Sequence, residues 1–357
     1  RTVAIYTFED RYSLHRYKAD EAYQVGADED PLKPYLDIEG IIAIAKECGA
    51  DAVHPGYGFL SENATFAQRC ADAGIIFVGP DSAVMQQLGD KVMAKEVARR
   101  VGAPLIESSE QPLSSLETAI AEAARIGYPV MLKAAAGGGG RGMRVLRTEA
   151  DLQKGFAEAQ REAKNAFGDD TVFFEKFIES PRHIEVQVVA DRHGTVMHLY
   201  ERDCSLQRRF QKIVEVAPAF NLQPEVASKL HQYAVDICKA VGYNNVGTVE
   251  FLVDRSGAIY FIEVNPRIQV EHTVTEMITG IDLVKTQIRI AEGHFLHGDV
   301  IHFPQQDKVP KNGFAIQCRI TTEDPEADFM PDYGTVLAYR SAEGFGIRLD
   351  EGSVYNG

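Results

Sequence analysis

The chain has 357 residues, 45% hydrophobic and 25% charged, an ordinary globular balance with material for two or three domains. Its 52 acidic residues outnumber 37 basic ones, giving a formal net charge of -15. Such a surface repels phosphate backbones and anionic lipid, which argues against nucleic acid and membrane surface as main partners.

Five cysteines (Cys48, Cys70, Cys204, Cys238, Cys318) are widely spaced, with no C-x-x-C pair. They fit buried thiols in a reducing compartment better than a disulfide framework or a zinc site. No apolar run approaches the ~18 residues of a membrane span. Arg1 opens almost directly into the strand-like stretch TVAIY, so the natural start is expected to lie upstream.

Residues 3–6 read as a strand. Residues 37–48 carry apolar side chains at helical spacing behind Asp37, a suitable N-cap. Residues 52–53 lead into the turn HPGYGF, 62–73 read as a helix stopped by Gly74, and 75–78 as a strand closed by Gly79-Pro80. Strands alternating with helices predict a parallel sheet covered by helices over 1–80. That domain looks cut at its start, because a first strand and helix are not visible.

A linker at 81–104 contains a basic helix, 90–101, ended by Gly102 and Pro104. A small α+β unit is expected over 105–177, with helices at 115–126 and 150–166 and strands at 130–133, 143–146 and 172–175. From 178 to 357 the sequence is mostly strands (183–191, 195–201, 246–254, 258–265), with one helix at 223–241. In 183–191, Ile184, Val186 and Val188 alternate onto one face. The last stretch is strand-like and glycine-rich, without an obvious domain end.

Four stretches carry chemistry. The run from Lys133 through Gly137, Gly138, Gly139 and Gly140 to Arg141 and Gly142 joins two predicted strands. Consecutive glycines let N–H groups converge on phosphate oxygens, with Lys133 and Arg141 adding charge at the edges. It is neither a Walker A loop nor a dinucleotide fingerprint, and a mobile hairpin tip is the plainer alternative.

Glu250 in TVEF and Glu263 with Asn265 in FIEVN lie on strands joined by the turn DRSG. Paired as a hairpin, they place two carboxylates and an amide oxygen together, a donor set suited to Mg²⁺; solvated strand acids are the alternative. Asn265-Pro-Arg267-Ile-Gln269-Val270-Glu271-His272 is too polar for a core segment. Arg267 offers a planar fork for a carbonate-like anion and Glu271 a general base; otherwise an Arg–Glu pair simply staples the loop. Finally, Glu201 to Lys212 (ERDCSLQRRFQK) holds three cations within five positions in an acidic chain, an anion focus or a solvated basic turn.

Together these stretches resemble the biotin carboxylase family of the ATP-grasp superfamily. HPGYGFLSEN, GGGGRGM, ERDCSLQRR, FIEVNPRIQVEHTVTE and GFGIRL occur in the family's order, and the resemblance spans essentially the whole chain. IQCRITTEDP and the NPR at Asn265 resemble the pyruvate carboxylase branch more than acyl-CoA carboxylase subunits. The resemblance implies an ATP-grasp fold, α/β and α+β. An N-terminal parallel-sheet domain, a small lid domain and a C-terminal, mainly antiparallel sheet domain would compose it.

The resemblance also implies roles. Lys91 and Lys133 would hold ATP phosphates. Glu175 and the backbone of Lys176 and Ile178 would read adenine, with His183 and Gln207 facing the nucleotide. Glu250, Glu263 and Asn265 would coordinate Mg²⁺ or Mn²⁺. Lys212, Arg267, Gln269 and Val270 would position bicarbonate, Glu271 would be the general base, and Arg319 would stabilise a developing biotin enolate. Phe210 stands where the family usually has a nucleotide-facing His, which implies an altered nucleotide contact rather than lost chemistry.

The implied partners are bicarbonate, a biotinylated carrier domain, a carboxyltransferase domain and further copies of the chain. Those copies would form a dimer of biotin carboxylase domains, or a tetramer in a pyruvate carboxylase. The implied location is bacterial cytoplasm or mitochondrial matrix. Other readings are an acyl-CoA carboxylase subunit, another ATP-grasp ligase, or a nucleotide-binding regulatory module. Lys212, Arg267 and Glu271 argue against the last.

Overall fold

The computed structural model describes residues 1–27, 31–109, 111–134, 143–167, 169–209, 211–332, 334 and 336–352. They fall into two compact units, Arg1–Gln86 with Arg319–Gly357, and Gln87–Cys318. Among the described residues, no helix is long and apolar enough to cross a membrane. All five cysteines are free thiols.

The first unit opens with β1 (Val3–Tyr6), α1 (Leu14–Lys18), β2 (Glu21–Gln24), α2 (Ile38–Glu47), β3 (Ala52–Val53), α3 (Ala64–Asp72) and β4 (Ile76–Phe77). β1 pairs with β2 and β3 with β4, both in parallel. Asp37 and Asn63 cap α2 and α3 by accepting the N–H of Gly40 and Phe66 at 3.1 and 2.8 Å. Ile41, Ile42 and Ala45 of α2 pack with Phe66, Ala67 and Cys70 of α3 and Phe77 of β4. The short helix α1 and strand β2 were not expected, because the mixed polar stretch around them shows no clean period.

α4 (Ser82–Gly89) and α5 (Lys91–Arg100) follow. Asp90 caps α5 through the N–H groups of Val92 and Met93, both at 2.9 Å. Next come α6 (Leu116–Ile126), β5 (Val130–Ala134), β6 (Met143–Leu146), α7 (Glu149–Phe167) and β7 (Val172–Lys176). The three strands form an antiparallel sheet in the order β6-β5-β7. Leu132, Leu146, Phe174, Leu152 and Phe156 form its core against the two helices. The expected glycine run joins β5 to β6 and lies outside the described residues.

The larger part of the second unit contains β8 (Arg182–Ala190), β9 (Val196–Arg208), β10 (Gln211–Ala217), α8 (Pro224–Ala240), β11 (Asn245–Val253), β12 (Ile259–Asn265), α9 (His272–Thr279), α10 (Leu283–Ala291) and β13 (Ala315–Cys318). Six strands form one antiparallel sheet in the order β12-β11-β8-β9-β10-β13. The basic motif at 201–212 is mostly strand, with β9 continuing to Arg208 and β10 resuming at Gln211. Short strands β14 (Glu323–Asp324) and β15 (Met330–Pro331) belong to the first unit.

α8 packs on β8 and β9 and buries Val226, Leu230, Ala234 and Ile237. Leu230 is fully buried. Leu230→Ala is therefore expected to destabilise the fold by about 2–5 kcal/mol through lost burial and a residual cavity. Urea unfolding at unchanged m-value measures this, and a midpoint equal to wild type would contradict it.

Candidate active site

The antiparallel register sets charged side chains in a row. Glu263 of β12 lies opposite Glu250 of β11, Glu250 opposite Glu185 of β8, and Glu185 opposite Arg202 of β9. Directly opposed residues share a face, so four strands contribute one line of charge. In the adjoining row Asn265 faces Thr248, and Thr248 faces Gln187. On β8 the apolar Ile184, Val186 and Val188 take the other face, as side-chain alternation requires.

The Lys212 ammonium is the hub. Its Nζ donates to Glu185 Oε2 at 2.5 Å, Glu250 Oε1 at 2.8 Å and Glu271 Oε1 at 2.8 Å. Burial is the strongest single influence on its proton and acts to lower its pKa; the three carboxylates together outweigh it and raise the pKa well above the usual lysine range.

Glu250 receives further donors: His183 Nε2 at 2.7 Å on Oε2, with Asn265 Nδ2 at 2.9 Å and Gln269 Nε2 at 3.0 Å on Oε1. Gln207 donates from Nε2 to His183 Nδ1 at 2.9 Å, which leaves the ring's proton on Nε2, aimed at Glu250. Burial works to raise the Glu250 pKa, but the His183 hydrogen bond and the Lys212 charge hold it far below the ordinary range.

Arg202 is completely buried. It donates to Glu185 Oε1 at 2.5 Å, Gln187 Oε1 at 2.6 Å, Thr275 Oγ1 at 3.0 Å, Gln269 Oε1 at 3.1 Å and Thr248 Oγ1 at 3.2 Å. These bonds tie the loop at 266–271 and the start of α9 to the sheet. Glu185, also fully buried, stays ionised because Arg202 and Lys212 outweigh its desolvation.

Neither Glu185 nor Arg202 was singled out from sequence. The available signal was the alternation of His183, Glu185 and Gln187 against an apolar partner face. It shows which face a residue takes, not that both faces are covered.

Of the remaining expected residues, Arg267 and Val270 lie on the loop that carries Gln269 and Glu271. Arg267 donates to Asn265 Oδ1 at 3.3 Å and to the carbonyl of Ile268 at 3.2 Å. Val270 sits half-buried between Gln269 and Glu271. On β5 and β7, Lys133 is ion-paired to Glu175. The Lys176 side chain instead donates to the carbonyls of Gly127 and Tyr128, and its backbone N–H to Glu107 at 2.7 Å.

Ile178 lies half-buried two residues beyond β7, and Lys91 is exposed at the first position of α5. Gly137, Gly138, Gly139, Gly140 and Phe210 lie outside the described residues. Arg319 belongs to the first unit, whereas every other described candidate belongs to the second.

The donor set suits a hard divalent cation. Glu250, Glu263 and Asn265 supply oxygens from two paired strands. Asn265 turns its amide nitrogen to Glu250 and its oxygen to Arg267. Among the described residues, clusters of potential ligand atoms occur at His183, Glu185 and Glu250, and at Glu185, Cys204 and Glu271. Both share the Lys212 neighbourhood. In chemical terms the group offers carboxylates to a cation, the Lys212 ammonium and the Arg267 guanidinium to an anion, and Glu271 as a carboxylate base hydrogen-bonded to Lys212.

Comparison with known proteins identifies the family. Residues 90–298 match the family described as carbamoyl-phosphate synthase L chain, ATP binding domain, and residues 1–85 match biotin carboxylase, N-terminal domain. Pyruvate carboxylase of Bacillus subtilis (strain 168) is 55% identical over 357 residues, all of this chain and 31% of that protein. The mitochondrial pyruvate carboxylase of Homo sapiens is 53% identical over 357 residues, all of this chain and 30% of that protein. The chain thus spans about a third of the length of these curated relatives.

The biotin carboxylase domain dimer of Hydrogenobacter thermophilus 2-oxoglutarate carboxylase, solved with MgADP, ADP and bicarbonate, superposes with a TM-score of 0.87 at 48% identity. That match covers 99% of this chain and 76% of the other. With its charged row, its three-stranded and six-stranded antiparallel sheets and matches along its whole length, the chain belongs to the biotin carboxylase family of ATP-grasp proteins.

Proposed function

We propose that this chain carboxylates biotin on a carrier domain, using ATP and bicarbonate, as the first half-reaction of a pyruvate carboxylase. The observation that carries this reading is the meeting of Lys212, Glu250, Glu271 and Gln269 in one buried hydrogen-bonded group, with Arg267 on the same loop. It provides an anion cradle, a base and a metal-ready carboxylate within reach of one another.

In this reading Arg267, Lys212, Gln269 and Val270 hold bicarbonate, and Glu271 takes its proton. A bicarbonate oxygen attacks the γ-phosphorus of ATP, ADP leaves, and carboxyphosphate forms. Lys91, Lys133 and the glycine loop steady the phosphates, and the three-stranded unit acts as a lid that excludes water. Glu250, Glu263 and Asn265 would hold Mg²⁺, which supplies neutralising charge on the phosphates when bound.

Carboxyphosphate then yields CO₂ and phosphate. Phosphate removes the ureido proton of biotin, and the freed nitrogen takes up CO₂, with Arg319 proposed to stabilise the enolate. His183, Gln207, Phe210, Glu175, Lys176 and Ile178 are proposed on the nucleotide side.

Pyruvate as final acceptor is supported by the identity to pyruvate carboxylases over the whole chain. That reading brings with it a biotinylated carrier, a carboxyltransferase domain and oligomerisation through the biotin carboxylase domains. It also brings a home in bacterial cytoplasm or mitochondrial matrix. The test is ADP release by the intact protein with MgATP, with and without bicarbonate and free biotin. Release is expected to require bicarbonate and to rise with biotin. Bicarbonate-independent ATP cleavage would overturn the proposal.

A further inference from the structure

Lys95 lies one helical turn beyond Lys91 on α5, and its Nζ reaches Glu175 Oε1 of β7 at 3.3 Å. The other carboxylate oxygen, Oε2, is taken by Lys133 of β5. The Glu175 side chain is only 16% exposed. Burial is the strongest influence on this carboxyl and favours its neutral form; the two ammonium groups outweigh it and hold it ionised, below its ordinary range. Glu175 is thus one largely buried carboxylate shared between two cations, one from α5 and one from the three-stranded sheet.

Lys133 stands last but one on β5, four positions before Gly137. If it serves a phosphate there, its charge is drawn from Glu175. A buried carboxylate deprived of its only counter-ion is costly, so such a carboxylate resists releasing its lysine. A second counter-ion removes that resistance.

We propose that Lys95 is a positioning residue for nucleotide binding. It keeps Glu175 charged and anchored, so that Lys133 is free to turn from the carboxylate to an ATP phosphate. This rests on the reading of the site as a nucleotide site. Without Lys95, Lys133 is the sole cationic partner of Glu175 among the described residues and is held back from the ligand. α5 then joins the site through two lysines with separate duties, Lys91 toward phosphate and Lys95 toward Glu175.

The test uses the intact protein and MgATP as probe. Lys95→Met is expected to raise the Kd and KM for MgATP about tenfold, which corresponds to about 1.4 kcal/mol. The KM for bicarbonate should not change, and Lys95→Arg should restore most of the affinity. A merely structural role for Lys95 would lower the unfolding midpoint without separating the two KM values.

A double-mutant cycle identifies the route. In a Glu175→Gln background the Lys95→Met penalty should vanish, because no carboxylate remains to trap Lys133. Equal MgATP affinity of wild type and Lys95→Met overturns the inference, and so do fully additive penalties in the cycle. Failure of wild type itself to bind MgATP would overturn the nucleotide-site reading instead, so the two failures are distinct.

Discussion

Glu271→Gln is expected to slow bicarbonate-dependent ATP cleavage by about 10²–10⁴-fold, the range typical for loss of a positioned general base. Glu271 is 2% exposed and accepts from Lys212 Nζ at 2.8 Å. The amide keeps the size and one acceptor oxygen of the carboxylate but cannot accept a proton. Lys212 retains Glu185 and Glu250 as counter-ions, so the fold should survive. MgATP affinity should therefore stay near that of wild type while turnover collapses. Single-turnover ADP formation with saturating bicarbonate, paired with MgATP titration, measures both quantities. Near-normal ADP formation would remove Glu271 from the role of base, and loss of MgATP binding would make it a binding residue.

The helices were legible where a cap and a period coincided. Asp37 was expected to cap α2 and does so through the Gly40 N–H, and in the structure Asn63, Asp90 and Ser115 cap α3, α5 and α6 in the same way. α9 and α10 were missed because side-chain polarity does not follow burial there: Thr273, Thr275, Thr286 and Gln287 lie inside the protein, while Val284 and Ile288 of α10 are exposed.

The site was legible in part for a related reason. Acids inside apolar strands announce a buried charge, and that pointed to Glu250 and Glu263, whereas Lys212 stood out only in the cation cluster at 208–212 and took its role from the family resemblance. Which cation meets which acid depends on strand order. Besides β12, the neighbour of β11 is β8, some sixty positions earlier, and nothing local to Glu185 reveals this. The expected Lys133 phosphate contact has the same limitation, since its partner here, Glu175, comes from a strand across a long helix.

Lys212→Met is expected to destabilise the protein by about 3–5 kcal/mol, because it removes one partner of a buried ionic group and leaves the others in place. In the hub, Glu185, Glu250 and Glu271 contribute three negative charges against Lys212 and Arg202. Deleting Lys212 leaves three acids against one guanidinium. His183 and the amides of Asn265 and Gln269 still face Glu250, so the deficit is shared rather than confined to one carboxylate.

A divalent cation at Glu250 and Glu263 would supply the missing charge. Mg²⁺ should therefore raise the unfolding midpoint of Lys212→Met more than that of wild type, where the ammonium competes for Glu250. Bicarbonate-dependent turnover should nonetheless fall by about 10²-fold or more even at saturating Mg²⁺, because metal charge on the acids does not replace a donor on the anion side. Thermal unfolding across a Mg²⁺ series, beside steady-state ADP release, separates the two effects. Equal Mg²⁺ stabilisation of both proteins would mean that metal and ammonium do not share Glu250, and the metal assignment to that carboxylate would fall.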